Sequence, residues 1–209
     1  MSILTGIFGG TFDPVHIGHK KVIQHIIQTL PFDKILVIPN SIPPHKNRIQ
    51  ASFEHRLNMV SLAFEGVKGI EIDEREGERE GPSYAINSIE ELLTENHGDL
   101  FLIVGSDSFK DILSWHRSKN LLDKVGLIVM NRAGYEIENE QPREGLRKTR
   151  ISRTYLLDRK RSKKIIKVDT PLVKVSSTLI RNNIYNGKKI KNFVSTSVGE
   201  YLKKHKLYE

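Results

Sequence analysis

The chain has 209 residues, 38% of them hydrophobic and 28% charged, with no cysteine and a formal net charge of +8 at pH 7. That length suits one domain with a sizeable core, while the missing cysteines, the lack of an export signal and the lack of an apolar run near about twenty residues exclude a disulfide framework and a membrane partner and point to the cytoplasm. The charge is concentrated: between Arg143 and Lys167 eleven Lys or Arg face two acids and a single aromatic, Tyr155, so a solvated surface or long-range attraction of a polyanion fits better than a nucleic-acid interface.

The first segment, SILTGIF, has the apolar weight of a short buried strand, and KKVIQHIIQTL places Val22, Ile23, Ile26, Ile27 and Leu30 at helical spacing. Between strand and helix lies GIFGGTFDPVHIGH, residues 6–19. Gly9 and Gly10 lack a Cβ, so the backbone there can turn and a ligand can approach its amides. Asp13 before Pro14 reads as a helix start whose carboxylate caps exposed N–H groups. A helix beginning near His16 carries His16 and His19 on one face, with Gly18 between them leaving the approach open. Amides, a positive helix end and two imidazoles suit phosphate. Zinc ligation and ordinary packing of the two histidines are the rival readings; neither a Walker loop nor a GxGxxG motif is present.

KILVIP, residues 34–39, is the next strand, and the order strand, helix, strand predicts a right-handed parallel crossover. In NSIPPHK the prolines stiffen the backbone and deliver His45 and Lys46 to the strand's ligand-facing end. FEHRLNMVSLAF is an amphipathic helix, read as structural, with Leu57, Val60 and Phe64 at helical spacing. GIEID is a short strand, EREGEREGPSY a loop, and Ser83 the cap of a helix whose buried stripe is Ile86, Ile89, Leu92 and Leu93 and whose stop is Gly98. LFLIVG, the most hydrophobic run, reads as a central strand. At its end Gly105 permits close approach, and Asp107 suits vicinal ribose hydroxyls, the cap of the following helix, or both at once, since a capping residue at a strand end still faces the crevice.

Trp115, beside His116, is either core or a platform for a flat ring. VGLIVMNR is a buried strand that leaves Arg132 at its carboxyl end; KIIKVD is the one patterned piece of the basic segment, and the sheet resumes with PLVKV, residues 171–175. Ser176, Ser177 and Thr178 then open a helix, forming a second cradle of hydroxyls and amides, with Arg181 one turn on and able to fork onto phosphate oxygens. SVGEYLKKHKLY is a last amphipathic helix. This order predicts an α/β fold: a Rossmann-like open, mainly parallel sheet with helices on both faces, in a single domain over residues 1–209, whose helical part from about 176 packs on the same core.

Two motifs carry a resemblance. GTFDPVHIGH resembles the GTFDPxHxGH signature of a nucleotidyltransferase superfamily, and VSSTLIR resembles its ISSTxxR. Between them, VIPNSIPPHK, GPSYA, GSDSF, SWHRSKN and VMNRAGY are similar to segments of the bacterial nicotinate-nucleotide adenylyltransferases. The resemblance implies transfer of an adenylyl group from ATP to nicotinate mononucleotide, giving deamido-NAD and pyrophosphate by in-line attack without a covalent intermediate. It assigns His16, His19 and Arg181 to catalysis. Gly9, Gly10, Thr11, Phe12, Gly18, Gly105, Asp107, Arg132, Ser177 and Thr178 fall to ATP, and His45, Lys46, Ser83, Tyr84, Ala85, Trp115 and His116 to the acceptor.

Magnesium is implied as a companion of ATP, with no protein metal site, and a homo-oligomer is left open. Three positions depart from the family's pattern: Ala85 replaces a threonine, His116 an aromatic residue and Val175 an isoleucine. The first two bear on recognition of the acceptor. The rivals are therefore pantetheine-phosphate adenylyltransferase, nicotinamide mononucleotide as acceptor, and, in another class, a nucleic-acid-binding or regulatory module using residues 143–167.

Overall fold

The computed structural model describes residues 3–44, 49–131 and 165–209, together with Asp158. Among these residues six strands, β1 (Leu4–Gly10), β2 (Lys34–Pro39), β3 (Ile70–Ile72), β4 (Asp99–Gly105), β5 (Gly126–Asn131) and β6 (Ile166–Asp169), form one sheet. Its order is β3-β2-β1-β4-β5-β6, and the five pairings are all parallel. The chain winds outward one way from β1 and the other way from β4. A ligand crevice belongs outside the carboxyl ends of those two strands, where β1 ends at Gly10 and β4 at Gly105.

Eight helices are described: α1 (Ile17–Thr29), α2 (Phe53–Phe64), α3 (Arg75–Glu78), α4 (Ala85–Thr94), α5 (Ser106–Lys110), α6 (Ser118–Lys124), α7 (Ser177–Tyr185) and α8 (Thr196–Lys204). Successive strand residues face opposite sides of the sheet, and this alternation sorts the apolar residues into two cores. Phe8, Ile35, Val37, Phe101, Ile103 and Ile128 pack beneath α1, α2, α7 and α8, whose Ile23, Ile26, Met59, Val60, Ile180, Val198 and Leu202 face them. Ile7, Leu36, Leu100, Leu102, Val104 and Val129 pack beneath α4 and α6, against Ile86, Ile89, Leu92 and Leu121. Helices thus cover both faces, which is why the central strands read as unbroken apolar runs. Each fully buried side chain such as Ile23 or Ile26, both 0% exposed, contributes about 1.5–3 kcal/mol to that packing.

Four details differ from the sequence reading. The charged loop after β3 contains α3, in which Glu76 is buried. Ser83 does not cap α4, because Tyr84 occupies the N-cap position without a side-chain bond. Leu93 is 38% exposed, and Ser88 takes the buried position instead. The sheet resumes at β6, not at residues 171–175, which lie in no strand and leave Leu172 exposed. Pro171 has no N–H for a ladder, and the place beside β5 is already filled by Ile166 and Val168, which are buried while Lys167 and Asp169 face solvent.

Candidate functional site

The loop between β1 and α1 is built around a reciprocal pair. His16 is the N-cap of α1; its Nδ1 accepts from the His19 N–H at 3.4 Å, and the Nδ1 of His19 accepts from the His16 N–H at 3.2 Å. This is a capping box made of two histidines. The rings stack with centroids 3.7 Å apart and planes 19° apart. Because each Nδ1 accepts, the proton of each neutral ring lies on Nε2. A Cβ on Gly18 would sit 2.9 Å from His16 Nδ1 and 3.0 Å from Val175, so the glycine there makes room for the imidazole itself. Gly10 is constrained in the same way, by the ring of Phe12. Phe12, buried and with φ of 51°, sets its ring edge-on to His19 at 5.0 Å and so fixes that imidazole from behind.

Asp13 does something other than start α1. Its carboxylate is 4% exposed and accepts from the N–H groups of Gln50 at 3.0 Å and Ala51 at 3.1 Å and from the Tyr208 hydroxyl at 2.6 Å. The capping role expected from the Asp13–Pro14 pair falls to His16 instead, since the carboxylate is committed to these distant donors. Arg181 comes to the same residue: one guanidinium nitrogen donates to the Asp13 carbonyl at 2.6 Å and lies 3.8 Å from Asp13 Oδ2, while the other donates to Thr178 Oγ1 at 3.2 Å. Ser177 Oγ donates to the Pro14 carbonyl at 2.9 Å. Ser176 caps α7 by accepting from the Leu179 N–H at 3.1 Å. The two phosphate-suited stretches, far apart in sequence, are therefore one structural unit.

Across the crevice, Gly105 is the N-cap of α5 and Asp107 lies, exposed, in its first turn. A Cβ on Gly105 would stand 2.5 Å from Asp107 Oδ1, so the carboxylate folds over the end of β4. An acceptor of hydroxyl hydrogen bonds there suits a ribose diol. A separate wall forms where α4 begins. The Ser83 N–H donates to the Ile42 carbonyl at 2.8 Å, and its Oγ accepts from the Ile42 N–H at 3.0 Å, clipping the loop after β2 onto the start of α4. Tyr84 stacks on His116 with centroids 4.1 Å and planes 25° apart, and Tyr84, Ala85 and Trp115 rest on the second core. Ser83, Tyr84, Ala85, Trp115 and His116 are thus brought together. His45, Lys46 and Arg132 lie outside the described residues, as does nearly all of the basic segment.

Two residues of the site were not singled out from the sequence. Arg56 is 1% exposed, and its guanidinium donates to the carbonyls of Ala51 at 3.2 Å, Thr11 at 2.8 Å and Ser41 at 3.0 Å, and to that of Asn40. Burial lowers its pKa, and the nearby Asp13, Tyr208 and Glu76 oppose that shift. An arginine remains charged under such a load. A signal existed, since Arg56 lies on the helix face of Met59, Val60 and Ala63, where the apolar stripe has no place for a cation. Tyr208 offers no such local signal. Its phenol, pushed well above the usual range by burial and then by the Asp13 carboxylate, keeps its proton.

Residues 7–183 match the family described as Cytidylyltransferase-like. The chain is 36% identical over 209 residues to a probable nicotinate-nucleotide adenylyltransferase of Pseudomonas entomophila, covering 97% of this chain and 94% of the relative. It is 34% identical over 209 residues to one of Yersinia pestis, covering 98% and 95%. Among solved structures it is similar to Plasmodium falciparum nicotinic acid mononucleotide adenylyltransferase complexed with NaAD, with a TM-score of 0.73, 21% identity and coverage of 99% of this chain and 97% of that one, a likeness of fold.

Proposed function

The chain belongs to the cytidylyltransferase-like family, among its nicotinate-nucleotide adenylyltransferases, and from that membership we propose that it transfers the adenylyl group of ATP to nicotinate mononucleotide, releasing pyrophosphate and deamido-NAD. The observation that carries this reading is the joining of the two phosphate-suited motifs, through Arg181 to Asp13 and through Ser177 to Pro14, beside the paired imidazoles. Such a site offers hydrogen-bond donors and a cation but no activated nucleophile. None is needed, because the acceptor's own phosphate oxygen is ionised at neutral pH. That oxygen forms a bond to the α-phosphorus of ATP as the bond from phosphorus to the bridging oxygen breaks, and the electron pair leaves with pyrophosphate.

Catalysis is then alignment plus neutralisation of charge on the transferring group. The Nε2–H groups of His16 and His19 donate to phosphate oxygens, with Gly9, Gly10, Thr11, Phe12 and Gly18 shaping that pocket. Ser177, Thr178 and Arg181 hold the departing phosphates. Gly105 and Asp107 take the adenosine ribose, and Arg132 serves the phosphates. His45, Lys46, Ser83, Tyr84, Ala85, Trp115 and His116 surround the mononucleotide. Imidazole, hydroxyl and guanidinium suit phosphate oxygens better than a hard cation, so magnesium fits as a companion carried on the oxygens of ATP. The whole chain acts as one domain, supported by Ile180, Val198 and Leu202 sharing a core with β1 and α1. Among the described residues no helix is long and apolar enough to cross a membrane, and the cytoplasm is the proposed location.

Side-by-side assays of pyrophosphate release test the acceptor. Nicotinate mononucleotide should be turned over faster than nicotinamide mononucleotide or phosphopantetheine. Turnover of phosphopantetheine alone would overturn the assignment, and steeply salt-dependent RNA binding with no pyrophosphate release would point to the nucleic-acid module instead.

A further inference from the structure

Resting on the adenylyl-transfer reading, we propose that Tyr208 is a positioning residue for the departing pyrophosphate, acting through Asp13 on Arg181. The Asp13 carboxylate is nearly dry, and the N–H groups of Gln50 and Ala51 fix its place. Two further groups compete for its negative charge. The Tyr208 hydroxyl donates to Oδ1 at 2.6 Å, and the Arg181 guanidinium lies 3.8 Å from Oδ2 while also bonded to the carbonyl of the same residue. A hydrogen bond onto a carboxylate draws charge from it. Tyr208 therefore weakens the hold of Asp13 on Arg181 and leaves more of the guanidinium's charge to face phosphate. The tyrosine is well placed for this: its ring packs on the first core, and its phenol, held protonated by burial, stays a donor throughout the neutral range. Without the hydroxyl, Asp13 Oδ1 would keep a single backbone donor, and the uncompensated charge would pull Arg181 toward itself.

Tyr208→Phe removes one oxygen and keeps the ring. The variant should raise KM for ATP, and the dissociation constant for inorganic pyrophosphate measured by calorimetry, by about fivefold, the loss typical of one hydrogen bond. KM for nicotinate mononucleotide should stay within about twofold, because Asp13 and Arg181 belong to the leaving-group side. A lower Tm with unchanged pyrophosphate affinity would overturn the proposal and leave Tyr208 as a structural tether. Action through Arg181 is tested by repeating the substitution in an Arg181→Lys background, where it should add little; a full additive loss there would also overturn it. Pyrophosphate binding needs no acceptor, so these outcomes stay distinct from the failure of the adenylyl-transfer reading, which a wild-type chain inert toward nicotinate mononucleotide would reveal.

Discussion

His16 performs two tasks that ordinary site-directed loss would confuse. It caps α1 through Nδ1 and, on the proposed mechanism, donates to ATP through Nε2. His16→Ala removes both, costing about 1 kcal/mol of stability along with the donor. Asparagine is a good N-cap but brings no imidazole, so His16→Asn should melt near the wild type while kcat falls by about 10² to 10³, the usual cost of one transition-state donor. His19→Ala should lose a similar factor. A His16→Asn enzyme with near-normal turnover and unchanged Tm would sink the catalytic assignment. The shared direction of the two rings was legible from their three-residue spacing. Their mutual capping was not, because histidine is an uncommon partner in such a box, and nothing local marked Asp13 as an acceptor for Gln50, Ala51 and Tyr208.

At the level of the element, α2 looks like scaffolding, yet through Arg56 it braces two neighbouring loops on the β1 side of the crevice. Its guanidinium ties the carbonyl of Thr11, next to the histidine loop, to those of Asn40 and Ser41, which follow β2. Arg56→Met would leave these acceptors unpaired in a dry interior, at a cost of about 3 kcal/mol or more, read as a fall in Tm of roughly 10 °C. Arg56→Lys should recover only part of it, since an ammonium cannot fork across three carbonyls. A Met variant that melts with the wild type would mean the loops satisfy themselves.

The strands of the sheet's centre were readable because burial on both faces demands continuous apolar runs. Its edge was harder: KIIKVD and PLVKV both alternate, and only pairing with β5 selects the first. The short helix α3 was hidden for a related reason. It is held by tertiary bonds of Glu76, to Ser88 Oγ at 2.9 Å and Asn40 Nδ2 at 3.1 Å, and not by any propensity of its charged sequence.

For the molecule as a whole, the excess positive charge resides in one stretch, residues 143–167, while the substrates are polyanions. Long-range attraction predicts that the association rate of ATP falls as salt is added, and that reversing several of those lysines and arginines flattens the dependence. Stopped-flow rates with an unchanged salt slope in the reversed variant would assign the stretch to solvation alone.

The bonds from Arg181 to Asp13 and from Ser177 to Pro14 also carry a temporal meaning. A ribosome delivers the histidine loop first and its counter-wall more than 160 residues later, as the spacing of those bonded pairs requires. At about 5–20 residues per second the nascent chain spends many seconds with half a site. During that interval β1 can pair with β2 and β4, but the Asp13 carboxylate has neither its arginine nor its tyrosine. On the proposed mechanism turnover therefore waits until residue 181 has been delivered, and a product truncated before it would carry the histidine loop without the bonds from Ser177 and Arg181.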